Sequence, residues 1–436
     1  MFIKILKNRF YNFLIHLSKL LLQLSCILNN PYLCSFSWGV SLFLVNFRQN
    51  NNVNKKILVL YKSFGSDDIE QLKKNKKNDF NFFYFPRNNL KIIFNYFFKE
   101  INNDLNDDKY FSSDESIEKA KKDYRNFLVK TLKIFNKKHN FNGILSFNFR
   151  YKAEKELHLA CKILKIKFIV CQKESLHYSD NSPQTELYIK INSLNGEFKG
   201  DYITVYTKKF KEVLTKASII DSKKIFVVGM PRADYYYENI NPQKKHVLLL
   251  MPFWTPRKNL LQQLSFDIKK YSQNVTNVIL DFALKNPDEH VIIKMKMVDK
   301  FDKHLESVIE NKNIKNVFIK RGGNANNLIK DAKVVVGFQS TGLLEALILR
   351  KPVIVPYAGI KINDMFEKCI LNLNEVTYSI KDNASMIKHL EDICKNKIHF
   401  PLKDKSKVDS IIDHYIGNYD GKSSDRLLNV FNKTLN

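Results

Sequence analysis

Short runs that are apolar at nearly every position recur along this chain at the spacing of a parallel sheet. That recurrence limits its folds more than any other feature. "KILVLYKSFGS", "FNFFYFPR", "NGILSFNF", "KFIVCQKE", "DYITVYT" and "KIFVVGMPR" read as strands. Between them "NLKIIFNYFFKEI", "ESIEKAKKDYRNFLVKTLKIFNKK" and "RYKAEKELHLACKILKI" carry helical periodicity, and a further helix is expected near Phe210 to Ser218. The polar "YYYENINPQKK" then reads as a connector, and the pattern restarts with "HVLLLMPFW", a helix in "NVTNVILDFALKN", and the strands "HVIIKMKM" and "NVFIKR". A short helix in "NANNLIKDA" leads into "VVVGFQSTGLLEALILRKPVIVP", which is strand, turn, helix and strand. Strands this apolar are covered on both faces. The expected architecture is therefore α/β, with two Rossmann-like domains whose parallel sheets face a cleft, and 436 residues suffice for two cores.

The expected divisions are an N-terminal helical extension over 1–55, an acceptor domain over 56–240, a nucleotide-donor domain over 241–404 and a helical tail over 405–436. Within the extension, Asn12, His16, Lys19 and Gln23 fall four, three and four apart and form a narrow polar stripe on a helix otherwise coated with Leu, Ile and Phe. Lys4, Lys7 and Arg9 precede it, and Pro31 separates it from a second apolar run, Tyr32 to Phe47, that is short for the roughly 20 residues of a spanning helix. Peripheral attachment to a cytoplasmic membrane face is expected, with a helical pair packed on the body as the alternative. Lys19 and Gln23 interrupt any signal-peptide core.

The formal charge of +27 fits an anionic partner, whether nucleotide, phosphate or lipid. It fits a compositional bias toward Lys, Asn, Ile and Phe equally well. No RNA-binding signature, zinc-finger spacing or basic-zipper pattern appears, which disfavours sequence-specific nucleic-acid recognition. The six cysteines form no C-x-x-C, and no H-E-x-x-H is present, so neither a disulfide scaffold nor a metal site is expected. A reducing cytoplasm suits such a chain.

In a parallel sheet the turn after "KVVVGF" lies at the strand's carboxyl end, where the next helix offers unpaired N–H groups and about half a positive charge. Gly337 and Gly342 would let backbone approach a ligand, Gln339, Ser340 and Thr341 would face phosphate oxygens, and Glu345 would accept from ribose hydroxyls. The bland reading is a Ser or Thr cap with Glu345 offsetting the dipole. Arg257 and Lys258 follow a strand end and suit a diphosphate or form a solvated loop pair, and Lys294 shares a strand face with Lys296, facing the cleft or lining an exposed edge. Arg232 and Asp234 follow Pro231, as donor ligands or as a structural ion pair. On the acceptor side, Glu174 is the first candidate for general base and His177 the second, against ordinary loop residues, with Lys173 as an acceptor ligand and Asp67 and Asp68 either binding acceptor hydroxyls or simply starting a helix.

"VVVGFQSTGLLEALILRKPVIVP" resembles the nucleotide-binding segment of GT-B glycosyltransferases, in particular bacterial surface-carbohydrate biosynthesis proteins, CDP-glycerol glycerophosphotransferases and capsule transferases. "IFVVGMPRADYYY" is similar to their V-x-G-x-P-R-x-D segment, "HVLLLMPFWTPR" to the opening of their second domain, and "DGKSSDRLLNVF" to their D-G-K-x-S-x-R element. "NFRYKAEKELHLACKILKIKFIVCQKE", with Arg150 as a further acceptor ligand, looks like the surface-carbohydrate branch. The resemblance runs from about Lys56 to the C-terminus. It implies a GT-B-like fold and transfer of a sugar or polyol phosphate from a nucleotide-activated donor to a glycan or lipid-linked acceptor, with no tightly bound cofactor. Lys296 and Met297 stand where CDP-glycerol-type enzymes carry His-Pro, so that element is not carried over. A nucleotide-sugar 2-epimerase on the same fold, or a non-catalytic binder of membrane or nucleic acid, are the alternatives.

Overall fold

A computed structural model describes residues 2–46, 55–61, 66–101, 107–173, 197–238, 244–251, 267–295, 302–357, 371–397 and 405–435. Among these residues there are two six-stranded sheets, all of whose strand pairs are parallel. The chain divides into two compact units; the first holds the described residues up to 173, 197–231 and those from Ser424 on, and the second holds Arg232–Ser423. Two successive Rossmann-like sheets of this kind, preceded by a helical region, make a GT-B-like fold.

In the first unit β1 (Lys55–Tyr61), β2 (Phe80–Pro86), β3 (Gly143–Ser146), β4 (Lys167–Cys171), β5 (Tyr202–Val205) and β6 (Ile225–Val227) lie in the order β2-β1-β3-β4-β5-β6. Ile57 pairs with Phe82 on one side and Gly143 on the other, so β1 is interior and its centre is buried on both faces. Ile57, Val59, Phe80, Phe82 and Ile169 form a core with Leu427, Leu428 and Phe431 of the last helix, Ser423–Thr434. The C-terminal residues thus complete the first unit rather than forming a separate tail. Burial of their apolar face drives this return.

Two helices precede β1, namely α1 (Phe2–Ile27) and α2 (Pro31–Asn46), and they pack on the first unit as an antiparallel pair. Trp38 of α2 is buried edge-on between Phe85 of β2 and Phe135 of the helix Glu115–His139. Asn46 ties the end of α2 to the sheet by accepting from Tyr84 N at 2.8 Å and donating to Tyr84 O at 2.7 Å.

In the second unit β7 (His246–Leu250), β8 (Val291–Met295), β9 (Val317–Arg321), β10 (Ala332–Gly337), β11 (Val353–Pro356) and β12 (Tyr378–Ile380) lie in the order β12-β11-β10-β7-β8-β9. Counted within the unit this is the 3-2-1-4-5-6 order of a dinucleotide-binding sheet, reversing direction between β7 and β10. The division falls at Pro231/Arg232, earlier than the boundary expected at 240/241. The cause lies in the supposed connector: Tyr235 OH donates to Asn327 Oδ1 at 2.6 Å and Tyr236 OH to Glu345 Oε2 at 2.7 Å, which fixes that segment to the second unit.

Candidate functional site

The turn Phe338–Ser340 and the helix Thr341–Ile348 follow β10, one of the two strands at the reversal point of the second sheet. Ligands of open α/β sheets bind outside the carboxyl ends of strands at such a point. Ser340 caps the helix, accepting from Gly342 N at 3.2 Å. Ser340 and Thr341 are half-buried while Gly342 to Leu347 are buried, so of this helix's first turn those two remain reachable from solvent.

Packing accounts for both glycines of the turn. A Cβ on Gly342 would come within 2.6 Å of Leu250 Cδ1, and one on Gly337 within 3.2 Å of Leu250 Cβ and 3.1 Å of Leu343 Cδ2. These positions let the helix sit tightly on β7, a role distinct from the ligand approach expected of them. Gln339 holds the turn in the left-handed region at φ 53°, and its Oε1 accepts from Leu371 N at 2.8 Å. Its side chain is buried and committed to that anchor.

Glu345 lies one turn into the helix and is 6% exposed. Arg232 Nε donates to its Oε1 at 3.0 Å, and Tyr236 OH to its Oε2 at 2.7 Å and to Asn326 Oδ1 at 3.1 Å. Asp234 accepts from Ser423 N at 3.1 Å. The P-R-x-D segment therefore docks on this helix through Arg232. Lys294 is half-buried in β8, its Nζ donating to Met295 O at 3.3 Å. Arg257 and Lys258 lie outside the described residues, as does Lys296.

In the first unit the candidate acceptor ligands share the carboxyl side of the sheet. Asp67 and Asp68 occupy the first turn of the helix Ser66–Lys74 after β1, Asp68 being buried. Arg150 follows β3, its N–H donating to Asn148 Oδ1 at 2.7 Å, and Lys173 follows β4, its carbonyl accepting from Tyr206 OH at 2.8 Å. Glu174 and His177 lie outside the described residues. Just before them Gln172 is buried; its Oε1 accepts from Tyr206 N at 2.7 Å, and its Nε2 has no partner among the described residues.

Sequence reasoning missed one constellation on the same side. Arg87, immediately after β2, forms an ion pair with the fully buried Glu154, and Ser146 Oγ donates to the other carboxylate oxygen at 2.5 Å. The Arg87 guanidinium lies 3.0 Å from the centre of the Tyr151 ring. Burial pushes the Glu154 carboxyl up, against the opposing pull of Arg87 and Ser146. A Glu in the first turn of a helix reads as dipole compensation, so no local signal marked this one. Among the described residues no group of three His, Cys, Asp or Glu side chains is placed to hold a metal ion.

No family model and no curated protein matches this sequence. Among solved structures, a variant of the wall teichoic acid polymerase TagF aligns over 96% of this chain and 97% of its own, at 14% identity and TM-score 0.51. The UDP-GlcNAc 2-epimerase of Neisseria meningitidis, bound to UDP-GlcNAc, aligns over 87% of this chain and 100% of its own, at 14% identity and TM-score 0.47. That of Methanocaldococcus jannaschii, in complex with UDP-GlcNAc and UDP, aligns over 87% and 99%, at 17% identity and TM-score 0.44. At such identity the TagF likeness shows the fold, which is GT-B-like.

Proposed function

We propose that this chain is an enzyme that transfers a sugar or polyol phosphate from a nucleotide-activated donor to a cell-surface glycan or its lipid-linked precursor. The observation that carries the reading is the position of one helix mouth. Ser340 and Thr341 open the helix that follows β10, at the reversal point of a sheet with dinucleotide-binding strand order. The sequence resemblance to GT-B surface-carbohydrate enzymes points the same way.

In this reading the helix N–H groups, with Arg257, Lys258 and Lys294, hold the donor phosphates and stabilise the charge that develops on the departing phosphate. The attacking acceptor hydroxyl loses its proton to Glu174, or to His177, as the bond from donor carbon or phosphorus to the nucleotide phosphate breaks. Asp67, Asp68, Arg150 and Lys173 bind the acceptor. Gln339 and Glu345 act from behind the helix, as anchors of the turn and of Arg232, rather than as donor contacts.

Thermal melts in the presence of CDP-, UDP-, GDP- and CMP-linked donors test this directly. One donor class is expected to raise the melting temperature, by about 2.7 kcal/mol of stabilisation at a hundredfold excess over its dissociation constant. Arg257→Ala and Ser340→Ala should reduce that rise. No shift from any class at millimolar donor would overturn the donor site, and release of free epimerised sugar without an acceptor would replace transfer by epimerisation.

A further inference from the structure

We infer that the outward face of the α1–α2 pair docks on an anionic lipid surface, lying along it with apolar side chains among the acyl chains. This inference stands independently of the donor-site reading, because it rests on the first unit, whereas the proposed donor site lies in the second.

Both helices carry large apolar side chains on their outward face, besides those they bury, such as Leu22 and Trp38. Leu20 and Ile27 of α1 are 52% and 62% exposed, and Tyr32, Phe36 and Phe43 of α2 are 73%, 59% and 63% exposed. Tyr32, Phe36 and Phe43 fall four and seven apart, on one helical face. Where the helices meet, the hydroxyls of three buried serines, Ser18, Ser37 and Ser41, cluster. Ser18 Oγ and Ser41 Oγ are 2.7 Å apart, Ser37 Oγ donates to Ser18 O at 2.7 Å, and Asn89 Nδ2, from the helix Asn88–Phe97, donates to Ser41 Oγ at 2.9 Å. A helix pair whose outer face meets only water carries polar residues there rather than a row of large apolar ones. Small polar residues at the seam with large apolar ones outward is the arrangement of helices that face lipid.

Charge selects the kind of surface. No Asp or Glu occurs before Asp67, whereas Lys4, Lys7, Arg9, Lys19 and Arg48 do, so this region is uniformly basic. Lys19 is exposed on α1 next to Leu20. An anionic headgroup layer over acyl chains satisfies both the basic and the apolar side chains. A second copy of the chain would instead bring identical positive charges together across a two-fold interface. Among the described residues no helix is long and apolar enough to cross a membrane, which leaves contact along the surface.

The test is sedimentation of the full chain with vesicles of phosphatidylcholine alone and of phosphatidylcholine mixed with phosphatidylglycerol. Binding is expected to the mixed vesicles, weaker to the neutral ones, and to fall as salt is raised. Ile27→Glu and Phe36→Glu should each lower partitioning about tenfold or more, and Lys19→Glu should lower it on the mixed vesicles. Phe318→Glu, an exposed apolar position on β9, should change nothing. Melts without lipid should be unaltered in all four variants, since each replaces an exposed side chain. The inference is overturned if the wild type stays in the supernatant with both vesicle types, or if the Ile27 and Phe36 variants bind like the wild type. Dimerisation without lipid, broken by those variants and unaccompanied by vesicle binding, would overturn it in favour of a second copy. Donor-induced melting shifts, measured without lipid, are decided separately.

Discussion

Arg232 Nε donates to Glu345 Oε1 at 3.0 Å with side-chain exposures of only 10% and 8%, so one ion pair fastens the P-R-x-D segment to the helix of the proposed donor site. Removing one partner strands the other charge in the interior. Glu345→Ala should therefore destabilise the second unit by about 3–5 kcal/mol, and Arg232→Met combined with Glu345→Leu should recover most of that loss. Glu345→Gln keeps an acceptor for Arg232 and Tyr236 and should cost about 1–2 kcal/mol. Urea denaturation followed by fluorescence measures all three. A loss below about 1 kcal/mol in Glu345→Ala would mean that the pair contributes no more than a surface salt bridge. Turnover lost in Glu345→Ala is thus not by itself a sign of donor contact, whereas turnover retained in Glu345→Gln would confirm an anchoring role.

The contact between Gly342 and Leu250 makes a second prediction. A Cβ at residue 342 would lie 2.6 Å from Leu250 Cδ1 and 3.3 Å from Ile329 Cδ1, both within a packed core. Gly342→Ala should cost about 1–3 kcal/mol through overpacking. Leu250→Val removes the nearer methyl, so the double variant should be more stable than the sum of the two single losses implies. Strict additivity in denaturant titrations would show that the helix start moves away from β7 without resistance.

His158 sits fully buried between Phe168 and Phe198, at ring-centre distances of 4.4 and 4.9 Å, and neither ring nitrogen has a partner among the described residues. Burial first, and then the charge of Lys155, hold its pKa well below the ordinary 6.5. In the folded chain the ring stays neutral, while the unfolded chain takes up a proton once the pH drops below about 6.5. The unfolded state then binds more protons, so stability falls with falling pH by up to about 1.4 kcal/mol per unit. His158→Leu should raise stability at pH 7 by about 1–2 kcal/mol, because it removes an unsatisfied buried donor. It should also flatten the loss between pH 6.5 and 5. His139 and His246, lowered mainly by burial as well, leave a residual slope. Identical pH profiles for the variant and the wild type would show that His158 is hydrated in solution.

Much of the fold was legible because the strands are apolar on both faces, and "KILVLY", "FNFFYFP", "HVLLL" and "VIVP" keep that signature wherever they are placed. The strand Tyr378–Ile380 and the helix Asn383–Cys394 went unread, since three residues carry no period. The glycines flanking the turn of the proposed donor site look alike whether they admit a ligand or a neighbouring leucine. Only the position of Leu250 distinguishes the two. Arg87 and Glu154 are 67 residues apart and meet only in the folded sheet. The connector was misread for a similar reason: Tyr235 and Tyr236 look polar and exposed until their partners Asn327, Asn326 and Glu345 are placed.

The thiols give a last prediction. Cys26, Cys34, Cys161 and Cys171 are buried and Cys394 is partly so, and no disulfide links these five. Burial pushes Cys26 up to about 11 and Cys34, Cys171 and Cys394 up to about 12, with Cys161 raised as well. The thiolate is the reactive form, and a thiol at 11 is only about one part in a thousand ionised at pH 8. Cys369 lies outside the described residues, so Cys369→Ser isolates the other five. With an aromatic disulfide reagent at pH 8 that variant should show no rapid phase, and then release five equivalents on denaturation. Because each thiol must first be exposed, the native reaction rate should follow local or global opening and level off above about pH 8.5, the ordinary thiol range, instead of climbing with hydroxide toward 11. A rapid stoichiometric phase in the folded variant would mean that one of these sites opens to solvent far more often than its packing implies.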